Sequence, residues 1–437
     1  MTRLLSLLLC LLTVGSACAT DAPLPVPVSE LAPVVHEMCS KKIVFLGEDA
    51  NHAGAQTIAV KAKLVEMLVQ NCGFRGVVFE SQFYDMLDFQ HALDTGTATQ
   101  AQLSSAIGAL WSRYAVFQRF ETWLFKEALA GRVLVAGVDP QVGGVGARYS
   151  PAELPKALAA VLDGDDRSRC QEALLRHNGW TYDDTHPFNE AAFNTLKACL
   201  RKVAAAPALN SGPASSRLSA MASSYLGYLD AIDPHRADEG ARDRAMYQNL
   251  TWLVSQWPRD TKLVVWTASV HASKATIGGG STKHLPFAAY VRRANEDQAY
   301  ALGFSAIGGT YGTIGGHGAI HELAPPPSGS LEASAFASHA NQHDARFLSS
   351  AKLRQLGNVP GRAFVYSKFQ SLQWSDYLDG ILVLRSETAA TAAPRAASRG
   401  EQLTAPQNPA APPCPTTTPS RPRPATNRTP ARSACRQ

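Results

Sequence analysis

The 437-residue chain is 45% hydrophobic and 18% charged, as ordinary soluble proteins are, and is long enough to bury a large core in two or three units. Its formal charge of +5 is misleading, because seven arginines against one acid, Glu401, follow Thr388 and leave the remainder near −1. Nothing in the body therefore supports a nucleic-acid surface, and no apolar stretch is long enough to span a membrane.

Arg3, the apolar run Leu4 to Val14 and the A-x-A site Ala17-Cys18-Ala19 make residues 1–19 a secretory signal peptide, so a periplasmic or secreted protein is expected. Anchoring as a lipoprotein through Cys18 is the weaker alternative, since Gly15 stands where that signal wants leucine. Residues 20–40 read as a leader. Ile43 to Leu46 then form a short buried strand ended by Gly47, followed by Glu48, Asp49 and His52. Ile58, Ala62, Val65, Leu68 and Cys72 recur at helical steps, with Lys61, Lys63, Glu66 and Gln70 between them. This strand, loop and helix begin a βαβ unit, and ligands of such sheets sit beyond the carboxyl ends of the strands, where Glu48 and His52 fall.

A second strand, Gly76 to Phe79, ends in Glu80, which is expected beside Glu48 and His52. Helical patterns cover Tyr84–Leu93 and Trp111–Ala130. A third strand, Val133 to Val138, delivers Asp139 and Gln141, so three successive strands bring acids or amides to one edge. Residues 150–258 have the character of a helical insertion, a cap beside the active-site cleft, interrupted by an Ala/Pro/Ser-rich loop at 204–216. The sheet resumes at Lys262–Trp266, with His271 five residues beyond. A Gly278–Gly280 loop, a helix over Phe287–Asn295, a strand over Ala299–Phe304, glycine-rich strands within 308–323 and a last strand over Tyr377–Leu384 follow. The domain is thus expected over 41–387, as an α/β fold with a mainly parallel central sheet flanked by helices. Residues 388–437 are too rich in Ala, Pro, Thr and Arg to bury a core and are expected to be disordered.

Export would place the cysteines in an oxidising compartment. The four in the body allow three pairings. Cys39 before the first strand and Cys72 at the end of the next helix both lie at the floor of a βα unit, which favours Cys39–Cys72 and Cys170–Cys199. Each bridge is worth about 3–4 kcal/mol on the loop-entropy model. Cys414 and Cys435 could pair with each other in the tail.

Several of these stretches together resemble the erythromycin esterase family. Leu46-Gly47-Glu48 through His52 is similar to its Gly-Glu-Ala-Thr-His-Gly motif, and Val78-Phe79-Glu80 to its Glu-ending strand. Ala136 to Gln141 resembles its Gly-Phe-Asp-x-Gln segment, Arg242 to Asn249 its Arg-Asp helix, and Lys262 to His271 its Val-Val-Trp-Ala-His-Asn-x-His strand and loop. Two departures stand out. His52 lies four residues after Glu48 rather than three, and Ala268 and Ser269 replace the first histidine and the asparagine of the last motif.

The resemblance implies ester or lactone hydrolysis by histidine-activated water, without a covalent enzyme intermediate and without a required cofactor. Carried over, His52 is the general base, Glu48 or Glu80 orients it, and His271 donates to the oxyanion or protonates the leaving alcohol. Asp139 and Gln141 would contact substrate, and Arg244 would be a buried partner of the acids. Arg242 and Asp243 suit a solvated helix face equally well. Two alternatives keep the fold: a divalent-metal hydrolase ligated by Glu48, His52, Glu80 and His271, or a small-molecule-binding protein without turnover. The chain has no G-x-S-x-G elbow. His317/His321 and His339/His343 have metal-like spacing but lack the acid of a zincin motif, so surface or loop positions are expected for them.

Overall fold

The computed structural model describes residues 25–393 except 145, 207–212, 234–237, 239, 278–283, 314–318 and 338–342. The expected signal peptide and Gly278–Gly280 loop, together with His317, His339, Cys414, Cys435 and every residue from 394 onward, lie outside the described residues.

Among the described residues the strands are β1 (Ile43–Glu48), β2 (Phe74–Gln82), β3 (Leu134–Asp139), β4 (Lys262–Ala268), β5 (Ala299–Tyr311), β6 (His321–Glu322), β7 (Ala345–Ser349), β8 (Asn358–Gly361), β9 (Gln370–Gln373) and β10 (Gly380–Glu387). The main sheet runs β3-β2-β4-β1-β5-β10-β7, with β6 paired to β5, while β8 and β9 form a separate hairpin. Its first six strands are parallel, and β7 and β6 join antiparallel. The apolar runs of β1 to β4 suit this arrangement, since a parallel sheet is covered on both faces. Along β1, Ile43 and Phe45 enter one hydrophobic cluster and Val44 and Leu46 the other. The α/β architecture expected from the sequence is present.

β4 lies between β1 and β2, so Glu48 and Glu80 do not stand on neighbouring strands. The chain leaves β1 for β2 on one side, while β5 flanks β1 on the other. This makes the carboxyl end of β1 a topological switch point, the usual place for a site in such sheets.

Twelve helices matter for the site and its support. They are α1 (Val28–Cys39), α2 (Ala55–Cys72), α3 (Phe83–Asp94), α4 (Gln100–Ile107), α5 (Gln118–Leu129), α6 (Tyr149–Ala159), α7 (Gly164–Asn178), α8 (Glu190–Ala205), α9 (Pro213–Ala231), α10 (Ala241–Gln256), α11 (Ser269–Ala272) and α12 (Phe287–Asn295). Helices α6 to α10 occupy the region read as an insertion, and their Leu154, Leu174, Leu196, Tyr225 and Met246 share one cluster with Phe45, Val78 and Val265 of the sheet. No helix among the described residues is long and apolar enough to cross a membrane.

Four expectations need correction. The stretch read as a leader contains α1, which buries Leu31, Val34, Val35 and Met38 and so belongs to the core. The helix expected over Trp111–Ala130 starts only at Gln118; residues before it turn to carry Trp111 inward. β10 begins at Gly380 and runs three residues past Leu384. Finally, 388–393 is paired rather than disordered: Gly54 bridges Ala389 and Tyr114 bridges Ala392.

Both expected disulfides are present, with Cα separations of 5.1 Å for Cys39–Cys72 and 5.4 Å for Cys170–Cys199. The Lys262 ammonium donates to the carbonyls of Cys39 and Cys72 and ties the floor of the sheet to the bridge.

Candidate active site

β1 ends in Glu48, whose side chain is buried. His52 follows in a loop and takes a left-handed backbone, φ +54°, which is unusual for a residue other than glycine. The loop is pinned from within by Asp49, which accepts from the backbone N–H of Asn51 at 3.0 Å and of Tyr366 at 2.7 Å. In this conformation His52 Nδ1–H donates to Glu48 Oε1 at 2.8 Å. A carboxylate partner places the proton on Nδ1, so the lone pair of the neutral ring sits on Nε2. The indole N–H of Trp111 donates to the same oxygen at 2.6 Å, and the Lys61 ammonium lies 3.0 Å from Oε2. Burial alone would raise the Glu48 carboxyl, but Lys61 and His52 overcome it and hold it below the usual range. Burial pulls Lys61 down to about 8, partly offset by Glu48.

A second cluster lies across β4. Glu80 Oε2 accepts from the Thr267 hydroxyl at 2.7 Å and the Ala268 N–H at 2.9 Å. Its Oε1 meets Arg242 at 2.9 Å and His271 Nε2 at 3.3 Å. Asp139, at the end of β3, grips Arg242 through two contacts of 3.1 and 2.8 Å. His271 Nδ1 faces Asp243 at 2.7 Å, and Asp243 also accepts the Phe287 N–H that opens α12. Burial disfavours the charged imidazole of His271, yet Glu80 and Asp243 outweigh it and push its pKa up to about 10. Glu80 is likewise held well below its usual range: burial opposes ionisation, and His271 and Arg242 prevail.

Glu48, His52, Glu80, His271 and Asp139 therefore gather at the carboxyl edge in two linked clusters. Glu48, not Glu80, orients His52, because β4 separates the two acids. Arg244 is a correction. It points to Asp238 at 2.7 Å with 38% of its side chain exposed, and the partly exposed Arg242 instead pairs with the buried acids Glu80 and Asp139. Two residues turn a helix by about 200°, so these arginines face opposite ways. Gln141 is exposed, and its backbone N–H rather than its side chain meets Asp139, at 3.2 Å. The metal alternative does not fit this donor set. The oxygens of Glu48 and Glu80 are taken by N–H and O–H donors and cations, and no described group of three His, Cys, Asp or Glu residues converges as ligands. Of the histidines with metal-like spacing, His343 pairs with Glu30 at 3.0 Å and His321 stacks on Tyr311.

Lys61 and Trp111 were not singled out from the sequence. Lys61 had a legible sign, since it stands three residues after Ile58 and four before Val65, on the apolar face of α2. Trp111 had none, because its partner Glu48 is 63 residues away.

A model of the erythromycin esterase family matches residues 69–385, a span that includes Glu80, Asp139, Arg242, Asp243 and His271 but begins after Glu48 and His52. The protein YbfO of Bacillus subtilis (strain 168), provisionally named a hydrolase, is 22% identical over 382 residues, covering 79% of this chain and 82% of its own. Among solved structures, a Bacillus cereus protein aligns with TM-score 0.63 at 15% identity, covering 85% of this chain and 95% of that one. A succinoglycan biosynthesis protein aligns with TM-score 0.62 at 16% identity, over 84% and 93% of the two chains. An erythromycin esterase mutant in its open conformation gives TM-score 0.60 at 15% identity, over 83% and 94%. At such identities these three structures establish a shared fold.

Proposed function

The chain belongs to the erythromycin esterase family, and from that premise we propose that it is an exported hydrolase that cleaves an ester or lactone with water activated by His52. The Glu48–His52 contact carries this reading. It fixes the ring and presents Nε2, to which no described residue is hydrogen-bonded, as a proton acceptor. Water loses a proton to Nε2 as its oxygen attacks the carbonyl carbon, and the imidazolium formed is stabilised by Glu48. Trp111 and Lys61 keep that carboxylate ionised and in place.

The second cluster supplies positive charge. His271, charged through Glu80 and Asp243, and Arg242, held by Asp139 and Glu80, would stabilise the oxyanion, and His271 would give its proton to the leaving alkoxide. Ala268 and Ser269 set this site apart from the family motif: Ala268 offers Glu80 only a backbone N–H, and Ser269 is buried. The two disulfides support export to an oxidising compartment.

The test is a panel of macrolide lactones and simple esters, incubated with the wild type and with His52→Ala and followed by mass spectrometry in isotopically labelled water. Label should enter the acid product with wild type and not with the variant. Full activity in His52→Ala, or a trapped acyl-enzyme, would overturn the mechanism.

A further inference from the structure

The six residues that follow β10 cross both backbone segments that serve Glu48. Thr388 O accepts from Ala55 N–H at 2.7 Å, and Ala390 N–H donates to Ala53 O at 2.8 Å. Farther along, Thr391 O accepts from Ala115 N–H at 3.0 Å, and Ala393 N–H donates to Arg113 O at 2.7 Å. The first pair of bonds grips the chain directly after His52; the second grips the turn directly after Trp111. These are the two side chains that converge on Glu48 Oε1, with their rings 5.3 Å apart, edge to face.

Glu387, the residue at which the strap begins, is buried and unused by the chemistry above. Its Oε1 accepts from Gln56 N–H at 2.8 Å, and its Oε2 from the Thr57 hydroxyl at 2.5 Å, Thr57 N–H at 3.3 Å and the Tyr366 hydroxyl at 3.1 Å. Gly54, the residue before α2, provides no side-chain cap. A carboxylate 331 residues away thus caps the helix that starts three residues after His52 and carries Lys61. A methyl at Gly54 would lie 2.6 Å from Glu387 Oε2, so the packing leaves no slack. Tyr366 joins the frame at both ends, donating its N–H to Asp49 and its hydroxyl to Glu387. The left-handed backbone at His52 needs such over-determination, because an unsupported non-glycine residue would leave it.

We infer that Glu387 is a positioning residue and that it and the strap 388–393 together hold His52 and Trp111 in register on Glu48. This rests on the assignment of His52 as the base, but it is testable without any substrate. The full chain is labelled with nitrogen isotope in its histidines, and ring spectra of His52 and His271 are recorded together with amide exchange at Ala55, Gln56 and Thr57. The variants are Glu387→Ala, Glu387→Gln and Ala390→Pro.

In Glu387→Ala and Ala390→Pro, the His52 ring signals should shift or split and exchange at the three amides should rise about tenfold, the equivalent of one lost hydrogen bond. His271 should keep its signals, and Glu387→Gln, which retains an acceptor oxygen for Gln56, should restore most of the His52 spectrum. Unchanged His52 signals in a thermally weakened Glu387→Ala variant would reduce the strap to a structural tie and overturn the inference. So would equal changes at His52 and His271. If Ala390→Pro does not fold, the contrast between Glu387→Ala and Glu387→Gln decides alone. Retained hydrolysis in His52→Ala would sink the proposed mechanism and leave this spectroscopic test standing.

Discussion

Trp111 and His52 donate to the same oxygen of Glu48, at 2.6 and 2.8 Å, from segments that lie far apart in the chain. The indole does more than fill space. It takes a lone pair of Oε1 that would otherwise attract water, and its edge-to-face contact restricts the imidazole.

Trp111→Phe should therefore keep the fold but lower kcat about 10–100-fold, the range for losing a hydrogen bond to a charged group. Steady-state kinetics on a cleaved ester checks this. Wild-type kcat in the variant would leave the indole N–H without a catalytic consequence.

Lys61 gives a prediction for alkaline pH. Burial lowers its pKa to about 8, so above that pH the native lysine loses its charge and Glu48 loses its cation. Between about 8 and the ordinary lysine value of 10.5 the unfolded chain binds the extra proton, so this group makes stability rise with pH there. Activity should fall above pH 8 while the fold holds, and Lys61→Met should be weakly active with no such limb. A pH–rate profile alongside circular dichroism distinguishes this fall from unfolding.

His271 behaves in the opposite sense. Its pKa is raised from 6.5 to about 10, so the stability it contributes is fully present below about pH 6.5 and lost as pH rises through 10. The Tm difference between wild type and His271→Gln should be widest near pH 6 and narrow steadily towards pH 10. A difference that is constant over that range would show that the native imidazole is not held charged.

The two arginines of α10 supply an internal control. Arg242→Ala strips Glu80 and Asp139 of their shared cation inside the protein, and breaking a buried pair from one side costs about 3–5 kcal/mol. Partial exposure of Arg242 brings that figure down. Arg244→Ala should change stability by less than about 0.5 kcal/mol, since both Arg244 and its partner Asp238 are about one-third exposed. Denaturant unfolding of both variants is the check, and equal losses would contradict the assignment of Arg242 as the partner of the buried acids.

Local pattern determined a good part of this protein. Apolar runs ending in Glu48, Glu80 and Asp139 announced parallel strands with acids at one edge, and the three- and four-residue period of Ile58 to Cys72 announced the helix between the first two. Those features depend on neighbours a few residues apart, so a sequence displays them directly. Cys39 and Cys72 were also legible together, because both flank one βα unit.

Partners decided the rest. Only the insertion of β4 between β1 and β2 assigns Glu48 to His52 and Glu80 to His271. Only the rotation of α10 on the sheet selects Arg242 over Arg244, a choice of about 200° that residue type cannot convey. Lys61 is polar by composition and buried by fold, since an anion waits at the end of its side chain. Residues 388–393 have no apolar period to reveal them. They are ordered by backbone hydrogen bonds to loops far upstream, and backbone groups are the same at every position of a sequence.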